Sequence, residues 1–370
     1  MTSSIASASR RTAGAVRDPR APVRVMVVDD SITARTVLER TINGEEDLKV
    51  VATATSAENA LAQLRSLDVD LILLDLEMPG RGGLHALPEI LQTAKGAQVL
   101  VVSALTIEGA EATLEALAMG AADTLPKPTS GTFDVGYRAR LLEKIRALGV
   151  VRHERSAEQR NPPPPAPPPS PVKIAARKRV LGIGASTGGI HALGQFFRAL
   201  PTEVRMPILV AQHLPASFMP VFARQLETAS RRPTVVAQDG MRLRPGHIYV
   251  APGTGHLMVR SAGSDFILAV ENFPTPSGCT PSADPTFDSL ASCFGRHAIC
   301  VVLSGMGRDG AEGAARVVER DGTVLAQDQA SSAVWGMPRA VWETGSASAT
   351  MPPEELAMAV AGSADTEAWK

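Results

Sequence analysis

Ser186 sits in Gly184-Ala185-Ser186-Thr187-Gly188, a G-x-S-x-G spacing that closes the apolar run starting at Val180. An expected helix, Ile190 to Leu200, follows, so the stretch reads as strand, tight turn, helix. A serine nucleophile needs such a bend to project its hydroxyl, and small flanking residues leave room for it. Backbone N–H groups at the start of the next helix can hold a developing oxyanion. A Gly-rich turn of this kind could instead bind a dinucleotide. Against that, Thr187 stands where the G-x-G-x-x-G spacing needs its third glycine. The next apolar run, Ile208 to Ala211, ends in Gln212-His213 and not in a ribose-binding acid.

A serine acts only with a base and an orienting acid. The apolar run Pro207 to Ala211 leads into His213, and Ala298 to Leu303 leads through Ser304-Gly305-Met306-Gly307-Arg308 into Asp309. Taken singly, Ser186 reads as a helix cap, His213 as a core or loop histidine and Asp309 as the cap of the following helix. Together, at three strand ends, they supply nucleophile, general base and orienting acid. Their chain order is Ser, His, Asp, which differs from the Ser, Asp, His order of α/β-hydrolases.

A second constellation lies upstream. Apolar runs end in Asp29-Asp30, in Asp75, in Ser103 and just before Lys127. Acids that converge need a neutralising partner. Mg²⁺ suits them, since it takes oxygen ligands and keeps waters for a phosphate. Lys127 would balance phosphoryl charge and Ser103 would donate a hydrogen bond to it. The bland alternative makes each acid a solvated loop residue or helix cap.

The elements that would position these groups alternate regularly. Expected strands are Val23 to Val28, Lys49 to Ala54, Asp70 to Leu74, Gln98 to Val102 and Ala122 to Leu125. Expected helices are Ile32 to Ile42, Ala57 to Ser66, Leu84 to Thr93, Ile107 to Met119 and Asp134 to Leu148. Alternation of this kind implies an α/β fold with a parallel sheet covered on both faces, its functional groups at the carboxyl ends of the strands. The pattern resumes near Arg179. There, short pieces at Thr234 to Ala237, His247 to Ala251, His256 to Arg260 and Asp265 to Val270 read as hairpins added to the main sheet. The proline run between Asn161 and Pro171 cannot form helix or ladder and reads as an extended spacer. The expected organisation is a tail over 1–22, a domain over 23–149, a Pro-rich linker over 150–178, a second domain over 179–362 and a tail over 363–370.

Bulk properties exclude several classes. The 370 residues carry a net charge of −1, so no basic field points to nucleic acid. The three cysteines, Cys279, Cys293 and Cys300, form no C-x-x-C, which fits free thiols in a reducing, cytoplasmic setting. No apolar run approaches the roughly 18 residues of a membrane span. No helix-turn-helix pattern follows the linker.

Val27-Val28-Asp29-Asp30-Ser31, Leu73-Leu74-Asp75-Leu76-Glu77-Met78-Pro79-Gly80 and Lys127-Pro128 resemble a response-regulator receiver. That resemblance implies a flavodoxin-like (βα)5 fold, phosphorylation of Asp75 by a histidine kinase, and Mg²⁺ held by Asp29, Asp30, Asp75 and the Glu77 carbonyl. Ser103 and Lys127 would sense the phosphoryl group. Receivers usually carry an aromatic three residues before the lysine, where this sequence has Thr124. Gly184-Ala185-Ser186-Thr187-Gly188-Gly189, Gln212-His213-Leu214-Pro215, Pro281-Ser282-Ala283-Asp284 and Gly305-Met306-Gly307-Arg308-Asp309-Gly310 resemble CheB-type protein-glutamate methylesterases. Their doubly wound, mostly parallel α/β domain hydrolyses γ-glutamyl methyl esters on methyl-accepting chemoreceptors, and many members deamidate receptor glutamines. The resemblance implies backbone N–H groups of Thr187 and Met306 as the oxyanion hole, with no cofactor for the ester reaction. It gives His256 no catalytic role. A rival reading makes the second domain a non-enzymatic, phospho-regulated binding module.

Overall fold

The computed structural model describes residues 21–103, 107–127, 134–158 and 179–363. Most of the expected N-terminal tail, the proline run and the residues after Ser363 lie outside these, as does Pro128.

The first unit contains β1 (Val23–Val28), α1 (Ile32–Asn43), β2 (Leu48–Ala54), α2 (Ala57–Leu64), β3 (Leu71–Asp75), α3 (Gly82–Thr93), β4 (Gln98–Ser103), α4 (Ile107–Met119), β5 (Asp123–Pro126) and α5 (Val135–Glu158). Its strands pair in parallel in the order β2-β1-β3-β4-β5. β3, Leu-Ile-Leu-Leu-Asp, is buried along its whole length, as a central strand covered on both faces must be. Its apolar residues fill the core and Asp75 emerges at the carboxyl edge. Ser31 caps α1 by accepting the Ala34 N–H at 3.3 Å, which starts that helix immediately after Asp29 and Asp30. α5 runs ten residues beyond its expected end at Leu148, into what reads as linker. The cause is local: Arg, Glu, Ala and Gln after Val151 favour helix, and the first proline comes only at Pro162.

The second unit contains β6 (Val180–Ala185), α6 (Gly189–Ala199), β7 (Ile208–Gln212), α7 (Met219–Ser230), β8 (Thr234–Val236), β9 (Ile248–Val250), β10 (His256–Ala262), β11 (Asp265–Glu271), α8 (Ala283–Phe294), β12 (Ala298–Val302), α9 (Ala311–Glu319), β13 (Thr323–Gln327), α10 (Met337–Glu343), β14 (Ala349–Met351) and α11 (Pro353–Ser363). Seven strands form one sheet in the order β14-β13-β12-β6-β7-β9-β8, with every pairing parallel. The expectation of several hairpins is therefore corrected. β8 and β9 extend the parallel sheet, and among the described residues only β10 and β11 form an antiparallel ribbon. Three-residue strands between turn residues carry no signal of direction, and tertiary pairing decides it.

One apolar cluster is continuous across the two units. It includes Ala110, Leu114 and Leu117 of α4, Ile190 and Leu193 of α6, and Met219 and Phe222 of α7.

Candidate active site

In the sheet β6 lies between β12 and β7, so Ser186, His213 and the segment reaching Asp309 leave three adjacent strand ends. Backbone bonds tie these ends together. The His213 N–H donates to the Ala185 carbonyl at 3.0 Å and the Ser186 N–H to the Ser304 carbonyl at 3.0 Å. Side chains hold the turn from both sides: Gln212 Nε2 donates to the Ser186 carbonyl at 2.9 Å, and Ser304 Oγ to the Thr187 carbonyl at 2.8 Å. Gly188 has φ +76°, and a Cβ there would lie 2.5 Å from Ala333 Cβ and 2.6 Å from Ser304 Oγ. The last glycine of G-x-S-x-G is thus required both by backbone conformation and by space.

His213 Nε2 and Asp309 Oδ2 are 2.7 Å apart. Asp309 is almost wholly buried and takes two more bonds, from the Ala283 N–H at 2.7 Å and Ser282 Oγ at 2.5 Å. Burial works against charge on both partners. For Asp309 it is overcome by His213 and by these donors, which hold the carboxyl well below its ordinary range. For His213 it is overcome by Asp309 and by Cys279, which push the imidazole up to about 9. Asp284, half-buried and facing the Asp309 charge, is raised by desolvation and by that charge to about 6. Ser186 shares a crevice of about 10 Å³ with His213. Among the described residues no hydrogen bond joins Ser186 Oγ to the His213 ring.

The other wall of that crevice belongs to the first unit: Leu117, Ala121, Ala122 and Asp123. The Ala122 carbonyl accepts the Gly188 N–H at 2.6 Å. Asp123 Oδ2 accepts Thr187 Oγ1 at 2.5 Å, and the same carboxylate is ion-paired with Lys144. His191 meets the Ala118 carbonyl at 3.0 Å, because the first turn of α6 abuts α4. Met306, Ala333 and Val334 pack on the apolar cluster beneath α5.

At the first unit's carboxyl edge, ligand oxygens of Asp29, Asp30 and Asp75 lie within 4.8 Å of one another. Lys127 Nζ is 2.5 Å from Asp75 Oδ2, and the Glu77 N–H donates to Asp75 Oδ1 at 3.0 Å. Desolvation raises both Asp29 and Asp75 despite these donors. Converging, partly desolvated carboxylates fit a hard divalent cation. Ser103 Oγ, expected beside the phosphoryl position, instead meets Thr113 Oγ1 of α4 at 2.5 Å. Its hydroxyl is turned toward the helix that packs on the second unit.

Comparison with known proteins follows this division. The response regulator receiver family model matches residues 25–132, and the CheB methylesterase model matches 181–360. The chain is 40% identical over 363 residues to a Paramagnetospirillum magneticum protein named protein-glutamate methylesterase/protein-glutamine glutaminase 1, covering 90% of this chain and 94% of that protein. The chain belongs to the CheB methylesterase family. A Rhodospirillum rubrum member of the same name is 38% identical, with 93% and 96% covered. The crystal structure of the Thermotoga maritima CheB methylesterase catalytic domain is similar to 50% of this chain and 97% of its own, at 33% identity and TM-score 0.48. As a CheB family member the protein is a hydrolase joined to a response-regulator receiver, α/β in both units. No helix among the described residues is long and apolar enough to cross a membrane.

Sequence reading missed several groups around this CheB site. Asp123 falls inside the expected strand Ala122 to Leu125, and Cys279 reads only as a free thiol. Gln212 and Ser282 stand inside motif stretches and Ser304 leads into one, but their side-chain partners come from elsewhere in the chain. His256 is fully buried, with its Nδ1 accepting the Ser282 N–H at 3.0 Å.

Proposed function

We propose that this chain is a phosphorylation-controlled protein-glutamate methylesterase that hydrolyses γ-glutamyl methyl esters on chemoreceptors and also deamidates receptor glutamines. The observation that carries this reading is the grip of the receiver on the serine turn. Ala122 and Asp123, at the strand that ends beside Lys127, hold Gly188 and Thr187, the two residues that follow Ser186. In this reading the two contacts couple a phosphoryl site to a hydrolytic one. The domain limits 23–149 and 179–362 are part of the same reading.

In the open enzyme Ser186 Oγ attacks the ester carbonyl while His213 takes its proton, and Asp309 stabilises the imidazolium. The Thr187 and Met306 N–H groups receive the oxyanion. Collapse breaks the acyl–oxygen bond, and the proton on His213 leaves with methanol. Water, deprotonated by His213, then attacks the acyl-serine, releasing glutamate and returning the proton to Ser186. With glutamine as substrate the leaving group is ammonia.

In the receiver, Asp29, Asp30, Asp75 and the Glu77 carbonyl would hold Mg²⁺. When bound, the ion offsets charge on the cluster and on the transferred phosphoryl oxygens. The Asp75 carboxylate takes the phosphoryl group from a histidine kinase. Lys127 balances the added charge. Ser103 exchanges Thr113 for a phosphoryl oxygen, which frees α4 to move and releases the elbow.

The test is methanol release from receptor membranes carrying methyl esters, with and without a small phosphodonor, for the unaltered chain and for Asp75→Asn. Donor-dependent release that is lost in Asp75→Asn supports the reading. Equal stimulation of both proteins overturns it.

A further inference from the structure

We propose that Ser282 is a positioning residue for the hydrolytic reaction, held in place by a fixed tautomer of His256. This rests on the reading of Ser186, His213 and Asp309 as a triad. Ser282 and His256 are both fully buried, 27 and 53 residues away from Asp309 in sequence.

The proton positions follow from the bonds. Asp309 is a carboxylate, so the 2.5 Å contact with Ser282 Oγ has the serine as donor to Oδ1. The second oxygen, Oδ2, serves the His213 ring and the Ala283 N–H. With Oδ1 occupied by Ser282, the carboxylate cannot rotate to present either oxygen to His213 at will. Ser282 Oγ in turn accepts the Asp284 N–H at 3.3 Å, capping α8. The backbone of Ser282 is fixed by its N–H bond to His256 Nδ1 at 3.0 Å. A backbone N–H only donates, so Nδ1 carries a lone pair and the ring proton sits on Nε2. That Nε2–H donates to the Phe273 carbonyl at 2.8 Å, and the ring packs on Phe273 with centroids 4.7 Å apart. The chain of contacts therefore runs from the β11 end through His256, Ser282 and Asp309 to His213. The charged or titratable groups that face the Asp309–His213 pair are Asp284 and Cys279.

A charge-assisted bond to a buried carboxylate is among the stronger ones, and its loss acts through geometry and charge. Without the Ser282 hydroxyl, Asp309 loses its anchor on Oδ1 and concentrates its charge on the bond to His213. Ser282→Ala in the full chain, assayed for methanol release with phosphodonor present, should lower kcat roughly ten-fold with KM unchanged. The acid limb of its pH profile should move to higher pH. Ser282→Thr keeps the hydroxyl and should restore most of kcat and the original limb. Ser186→Ala is run in parallel. If Ser186→Ala stays active, the triad reading fails. If Ser186→Ala is inactive while Ser282→Ala matches the unaltered chain in kcat and pH profile, this inference alone is overturned. If Ser282→Ala does not fold, Ser282→Cys, which keeps a weaker donor at the position, should show a lower kcat than the unaltered chain and an acid limb at higher pH. A Cys variant equal to the unaltered chain counts against the proposal.

Discussion

Asp123 of the receiver accepts a 2.5 Å hydrogen bond from Thr187, the residue that follows Ser186. A hydroxyl bonded to a carboxylate in this setting is worth about 1.5–3 kcal/mol. Asp123→Ala should therefore shift the closed–open balance by roughly ten-fold or more toward open. Basal methanol release without phosphodonor should rise by a similar factor, and stimulation by the donor should shrink. Asp123→Asn keeps an acceptor and should lie between. Unchanged basal release in Asp123→Ala would remove this contact from the control of the enzyme.

Ser103 faces Thr113 at 2.5 Å and not Asp75. The phosphoryl group must therefore recruit this hydroxyl away from α4. Ser103→Ala should still accept phosphate at Asp75, read by gel retardation of the phosphoprotein, but most of the donor-dependent rise in methanol release should be gone. Full stimulation in Ser103→Ala would show that α4 receives the signal by another route.

The His213 ring gives a pH signature in stability. Burial opposes its imidazolium, yet Asp309 and Cys279 outweigh burial and hold the ring at about 9, against an ordinary value of 6.5. A raised pKa stabilises the fold fully below the unfolded-state value, and that stabilisation is lost as pH rises through the folded one. The unfolding free energy should fall by a few kcal/mol, on the order of 3, between the two values. Urea titrations across this window check it, with His213→Gln as the reference that lacks the drop. Equal curves for the two proteins contradict the pairing.

Cys279 adds to the hold on the His213 proton. Cys279→Ala removes that contribution, so His213 should give up its proton more readily. The acid limb of kcat/KM in the phosphodonor-activated enzyme should move to lower pH, without loss of the plateau rate. A limb that stays in place would mean that Asp309 alone sets the base.

Much of this molecule was legible in its sequence because parallel sheets bring strand ends together. Asp29, Asp30 and Asp75 converge as expected, and Ser186, His213 and the loop carrying Asp309 leave neighbouring strands. The illegible parts depend on contacts between segments with no shared period. Asp123 pairs with Lys144 inside its own unit, and its bond to Thr187 comes only with the docking of the second unit. Ser282 is a helix cap whose hydroxyl serves a residue on another strand loop. β8 and β9 are too short for their own residues to decide parallel from antiparallel. α5 outran its expected end because helix-forming residues continue past Leu148 without a proline.

The most direct test of the central claim is methanol release from methylated receptor membranes by the full chain, with and without phosphodonor, against Ser186→Ala. The expected result is slow release that the donor raises and that Ser186→Ala reduces by about 10⁴-fold or more in both conditions. Release that persists in Ser186→Ala, or that the donor leaves unchanged in the unaltered chain, would contradict a receiver-gated serine hydrolase.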